Sequence, residues 1–291
     1  MEIRRKLSSS SNQACIIVPL HSFPLTCDEE ISLSALREKI ELVPIYFVVP
    51  NGLPIPANFL HNEVVVRFPE KYFTYPFGYN ALLLSSKFYS SFSLYKFMLI
   101  YQLDCLVLRN EISKWCDMEY DYIGSPWCDS YAAEDTGVEN WKVGNGGFSL
   151  RKISTAQAIL KRKINRGSLY PVPPPSTKEP GFWNWLLLNS INRFKQHMCL
   201  WTVEDELNNY CENEDRWWAV DVMRLVPEYK KPDVSEAMMF GFETDPKLCL
   251  EMTGGKLPFG CHAWWKHDRE FWETALRETK QSRLSGESCN P

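Results

Sequence analysis

The chain has 291 residues, 45% of them hydrophobic, enough for one large α/β domain or two small ones around a sizeable core. Its 36 acidic and 32 basic residues give a formal net charge of −4, and no run of like charge extends beyond Arg4-Arg5-Lys6, which argues against a nucleic-acid partner. Apolar runs such as 97–100 and 185–188 fall far short of the roughly 20 residues a membrane-spanning helix needs, so no transmembrane segment is expected.

Residues 1–13 read as a polar, serine-rich, disordered leader. A signal peptide would place its apolar segment where Ser8 to Asn12 stand, and a soluble, cytoplasmic protein is expected. The ten cysteines contain no Cys-x-x-Cys pair, which favours reduced thiols and leaves no structural zinc pattern.

A short buried strand is predicted over 14–20, a helix over 32–40, a second strand over 44–49 halted by Pro50-Asn51-Gly52, and a shorter one over 64–66. A helix over 79–89 and a strand over 95–101 follow, the strand delivering Gln102-Leu103-Asp104 into a turn. Residues 120–124 form a further strand, 129–139 a polar surface loop, and Gly144 to Gly147 a turn into a strand at 148–150. The helix after it spans about 154–165 and stops at Gly167, and the prolines between 171 and 175 mark an irregular insertion. Apolar periodicity resumes over 182–194, a helix starts at Thr202, and 281–291 read as a flexible tail. The alternation of strands and helices predicts one α/β domain over 14–280, with a regular half at 14–125 and an irregular half at 126–280.

Chemistry is expected at the carboxyl ends of parallel strands, where α/β sheets hold their ligands. Asp104 stands at such an end and could offer a carboxylate to Mg²⁺ or Mn²⁺, or it could cap the turn. Gly144-Asn145-Gly146-Gly147 is either a close-approach loop or an ordinary tight turn. Thr202-Val203-Glu204-Asp205 fits a helix capping box, and a catalytic carboxylate at the same place is compatible with it. His262, in Leu257-Pro258-Phe259-Gly260-Cys261-His262, is a lone histidine, a kind more often structural than a ligand. His21, after the first strand, and Asn80 and Lys87, on the helix before Asp104, are weaker donor-side candidates. Trp264, Trp265 and Trp141 could stack on sugar rings or belong to the core.

These segments together resemble the GT-A glycosyltransferase superfamily, over about 44–272 and in the superfamily's order. Gln102-Leu103-Asp104 looks like its metal-binding Asp-x-Asp element, with Gln102 in place of the first Asp. The glycine run resembles the superfamily's sugar loop, which implies Asn145, Gly146 and Gly147 at the sugars. Glu204-Asp205 resembles its Glu-Asp element, implying Asp205 as general base, and His262 resembles its late metal-binding histidine. Tyr101-Gln102-x-Asp104, Tyr120 to Gly124, Gly144 to Arg151 and Leu257 to His262 also resemble a glycosyltransferase-like family catalogued as a domain of unknown function in bacteria, algae and large viruses.

The resemblance implies a GT-A-type (Rossmann-like), mostly parallel central sheet flanked by helices. It also implies a metal-dependent, inverting transfer from a nucleotide-diphosphate sugar, UDP-type first, to a hydroxyl of a glycan acceptor. Mn²⁺ or Mg²⁺ would be held by Asp104 and His262. The alternative is a catalytically silent protein that kept the fold and binds a glycan or a partner.

Overall fold

A computed structural model describes residues 12–74, 77–128, 141–165, 167, 169, 182–198, 200–208 and 210–284. Most of the predicted leader, the 129–139 loop, the proline cluster and the tail beyond 284 lie outside the described residues.

The chain opens with β1 (Ala14–Pro19), whose apolar run is buried along its whole length. Helix α1 (Cys27–Lys39) starts earlier than predicted, because Thr26 and Glu29 form a capping box that satisfies the first orphan N–H groups. Strands β2 (Ile45–Pro50) and β3 (Val64–Phe68) follow. The helix predicted over 79–89 is two helices, α2 (Phe77–Leu83) and α3 (Ser86–Ser90). The break falls at Ser85, whose hydroxyl accepts the Lys87 N–H and restarts the helix.

Next come β4 (Phe97–Tyr101), β5 (Leu106–Val107), α4 (Ile112–Asp117), β6 (Tyr122–Gly124), β7 (Pro126–Cys128), β8 (Trp141–Val143) and β9 (Phe148–Lys152). Helix α5 (Ile153–Leu160) is shorter than predicted, since the Ile164 N–H turns to the Trp201 carbonyl and Lys163 bridges to Thr202. Beyond it lie α6 (Phe182–His197), α7 (Val203–Leu207), α8 (Glu214–Ala219), α9 (Val234–Phe240), β10 (Gly241–Phe242), α10 (Pro246–Met252), β11 (Gly260–Cys261) and α11 (Arg269–Leu284). The first four residues assigned to the tail thus continue α11.

The central sheet has the order β3-β2-β1-β4-β9-β6, with β3, β2, β1 and β4 mutually parallel and β9 antiparallel to both its neighbours. Alternate side chains of each central strand enter different cores. Ile17, Val48, Met98 and Ile100 pack on one face, and Ile16, Val18, Phe47, Val49, Leu99 and Phe148 on the other. This is the mostly parallel, helix-flanked α/β sheet that the sequence led one to expect. The two predicted halves share it, because β9 inserts between β4 and β6.

Strand order reverses between β1 and β4, which makes the crevice beyond their carboxyl ends a topological switch point. A smaller sheet, β10-β11-β5, borders that crevice. Its parallel pairing sets Phe242 beside Cys261, so the next residues, Glu243 and His262, emerge side by side.

One buried ion pair anchors the far wall. Arg151 on β9 donates from Nη1 to Glu214 Oε2 at 2.8 Å and from Nη2 to Glu214 Oε1 at 3.0 Å. Burial alone would lower the Arg151 pKa, but the adjacent Glu214 carboxylate raises it well above its ordinary value and keeps it charged. Breaking such a pair leaves an uncompensated interior charge. Glu214→Ala is therefore expected to lower unfolding free energy by about 3–5 kcal/mol in urea titration. Lys152→Ala, which removes a more exposed pair with Glu119, should cost under about 1 kcal/mol.

Candidate active site

The turn after β4 brings Gln102 and Asp104 into the crevice. It is held by the Gln102 N–H donating to the Gly147 carbonyl at 2.9 Å and by the Trp264 N–H donating to the Asp104 carbonyl at 3.0 Å. Asp104 Oδ2 accepts from Lys266 Nζ at 2.8 Å, while Oδ1 is buried without a hydrogen-bond partner. His262 Nε2 stands 3.2 Å from that Oδ1 and 3.4 Å from Gln102 Oε1. Three donor atoms therefore face one small space. Separations near 3 Å suit ligands that share an ion on bonds of about 2.0–2.2 Å.

Among the described residues, Asp104, Cys105 and His262 form a cluster with metal-binding atoms within 4.8 Å of one another. Cys105 is a poor ligand in it, because burial raises its thiol pKa well above the ordinary value and its Sγ donates to the Gly147 carbonyl at 3.2 Å. Gln102 Oε1 is the better third atom. The orphaned Asp104 oxygen and the oxygen and nitrogen donors around it fit a hard divalent cation.

The imidazole of His262 is held from its other side by Glu243, whose Oε1 lies 3.0 Å from Nδ1. Burial alone would lower the His262 pKa, but the Asp104 and Glu243 carboxylates push it up to about 9. Burial likewise would raise Asp104 and Glu243, yet His262 and Lys266 hold Asp104 below its usual range, and His262 holds Glu243 below its own.

The glycine loop packs closely against the protein's own side chains. A Cβ on Gly147 would lie 2.3 Å from His262 Nε2 and 2.8 Å from Gln102 Oε1, and one on Gly146 would lie 2.2 Å from Glu214 Oε1. The protein's own polar groups fill the space of the missing side chains. Asn145 takes a left-handed conformation at φ 66°, is only 3% exposed, and spends its Oδ1 on the Phe148 N–H at 2.8 Å.

The Glu-Asp pair that meets this loop is Glu214-Asp215, at the start of α8. The Gly146 N–H donates to Asp215 Oδ2 at 3.2 Å. Glu204-Asp205 instead begins α7, where Asp205 closes a capping box with Thr202 and pairs with Lys195 at 2.7 Å. The two aspartates are shifted in opposite directions. Burial raises the Asp215 pKa, whereas Lys195 and Thr202 overcome burial and lower that of Asp205.

The remaining candidates divide. Asn80 reaches the start of α8, its Nδ2 3.5 Å from Asn213 Oδ1. His21, just past β1, packs edge-on against Phe73 and Tyr79. Lys87 is exposed on α3, which packs against α5. Trp264, a candidate for stacking on a sugar or for the core, is 0% exposed with the Arg269 guanidinium over its ring, so its indole belongs to the core. Asp215, Glu243 and Lys266 also stand against these groups, at Gly146, His262 and Asp104 respectively. Asp215 had a signal, since Glu-Asp occurs again ten residues after the chosen pair, whereas nothing local marks Glu243.

The family described as Protein of unknown function (DUF5672) matches residues 63–262, and the chain belongs to it. No curated protein matches the chain. Among solved structures, it is similar to the apo form of the glycosyltransferase GlyE from Streptococcus pneumoniae TIGR4 and to a second GlyE structure. Each is 11% identical with a TM-score of 0.41, and each match covers 94% of this chain and 64% of the GlyE chain.

Because the folded-state pKa of His262 lies above its ordinary 6.5, its pairing stabilises the metal-free fold fully below that value. That stabilisation is lost as pH rises through about 9. Urea midpoints of wild type should fall more steeply between pH 6.5 and 9 than those of His262→Gln.

Proposed function

We propose that the protein is a glycosyltransferase that moves a sugar from a nucleotide-diphosphate donor to a hydroxyl of a glycan acceptor, with Mn²⁺ or Mg²⁺ as cofactor. The observation that carries the reading is the convergence of Gln102 Oε1, the orphaned Asp104 Oδ1 and His262 Nε2 at the switch point of the sheet. Those three groups would hold the ion, which when bound neutralises charge on a departing diphosphate. His21, with Phe73 and Tyr79, lies at the end of β1 and would border the nucleotide, UDP-type in the first instance.

Asp215 is the base this geometry favours, in place of Asp205. Its burial leaves it more basic than an ordinary aspartate, and the Gly146 and Arg216 N–H groups orient its two oxygens. In an inverting transfer Asp215 would take the acceptor proton on the face opposite the leaving group. The same reading places the protein in the cytoplasm, where nucleotide sugars are available; among the described residues no helix is long and apolar enough to cross a membrane.

One observation favours the silent alternative, a binding protein on the same fold. Lys266 already neutralises Asp104 Oδ2, and protein side chains already occupy the glycine loop.

A thermal-shift screen of nucleoside diphosphates and their sugars, with and without Mn²⁺, separates the two readings. A metal-dependent shift with one nucleotide, abolished in Asp104→Asn, is the expected outcome, and no shift with any nucleotide would favour the silent protein. With the donor so identified, Asp215→Asn should lower kcat by about 10²–10⁴-fold. Because the Asp215 pKa is raised, the acid limb of kcat/KM should fall above the range of an ordinary aspartate. Turnover unchanged in Asp215→Asn would remove it as the base.

A further inference from the structure

The two ring nitrogens of His262 face different neighbours. Nε2 looks into the space shared with Asp104 Oδ1 and Gln102 Oε1, while Nδ1 lies 3.0 Å from Glu243 Oε1 and 2.8 Å from Asn145 Nδ2. The Asn145 amide has a settled orientation, because its Oδ1 accepts the Phe148 N–H at 2.8 Å, and so Nδ2 meets the ring as a donor. A cation can bind only the neutral imidazole, and two arrangements of that form are open.

In the first, Nδ1 accepts from Asn145, and Nε2 carries a proton that points at Asp104. That proton would satisfy the orphaned carboxylate oxygen and close the site to a cation. In the second, the Nδ1–H donates to Glu243, Asn145 Nδ2 turns to the same carboxylate, and Nε2 presents a bare lone pair beside Asp104 Oδ1. Hydrogen bonds to a charged acceptor are roughly twice as strong as neutral ones, so the carboxylate outcompetes the amide for the ring.

We propose that Glu243 is a positioning residue that selects the second arrangement and so keeps Nε2 of His262 available as a metal ligand. It acts through the histidine, as carboxylates behind metal-bound imidazoles do. The fold builds this contact in. Glu243 directly follows β10 and His262 directly follows β11, the pairing of Phe242 with Cys261 aligns them, and the His262 N–H donates to the Phe242 carbonyl at 3.0 Å. The inference rests on the reading of Gln102, Asp104 and His262 as a metal centre.

The test is Mn²⁺ binding by calorimetry on the full chain for wild type, Glu243→Gln, Glu243→Asp and Asp104→Asn. It is paired with ¹⁵N NMR of labelled histidine in the presence of Mg²⁺. Glu243→Gln removes the charge and can offer an N–H to Nδ1, so Mn²⁺ affinity should fall about 10–100-fold. The Nδ1–H signal of His262 should give way to an Nε2–H signal. Glu243→Asp should retain the wild-type tautomer with a smaller loss of affinity, which also covers the case of a Gln variant that fails to fold. Wild-type affinity together with an unchanged tautomer in Glu243→Gln would overturn the role given to Glu243. Failure of wild type and Asp104→Asn alike to bind Mn²⁺ is a different result, and it would overturn the metal centre itself.

Discussion

A guanidinium cut off from water must have an anion at hand, and the wall of the site is organised around meeting that demand. Arg151 projects from β9, the antiparallel strand wedged between β4 and β6, and Glu214 answers it from the first turn of α8. Because the contact is bidentate, it fixes the direction of α8 as well as its distance. Asp215 follows Glu214, so the same pair brings a second carboxylate against the glycine loop. A structural ion pair and a candidate base are thus consecutive residues with separate duties.

The loop itself is shaped by its neighbours' side chains. Gly146 and Gly147 leave room for Glu214, Gln102 and His262, which draws polar groups from three remote segments within a few ångströms of one backbone turn. Asn145 ties these together. It holds the start of β9 through the Phe148 N–H and meets the His262 ring with its amide. Charge balance follows the same economy of space, since Asp104 is faced by His262 and Lys266, and His262 is faced in turn by Glu243.

Much of the fold was legible in the chain. Continuous apolar runs such as Cys15 to Val18 and Met98 to Ile100 can be buried only between two helical layers, and they predict a mostly parallel sheet. The turn after β4 and the glycine run stand out because each interrupts such a pattern with residues that a strand does not need, whereas the late histidine stands out only through the resemblance to GT-A enzymes. Some local signals carry two meanings in one spelling. Thr202 to Asp205 forms the capping box its letters describe, and that box, with Lys195, occupies both Asp205 oxygens.

By itself the sequence determined the α/β class, the approximate place of the strands and the position of Asp104 at a strand end, because periodicity and strand-end position are properties of consecutive residues. Gln102 and His262 became candidates through the resemblance to GT-A glycosyltransferases. Which Glu-Asp pair meets the glycine loop, which carboxylate stands behind His262, and whether Trp264 is open or enclosed were decided by tertiary structure. Each depends on contacts between segments tens to more than a hundred residues apart, such as Asn145 with His262 and Gly146 with Asp215. Spacing along the chain carries no record of them, because strand order and register set those distances only once the sheet has formed.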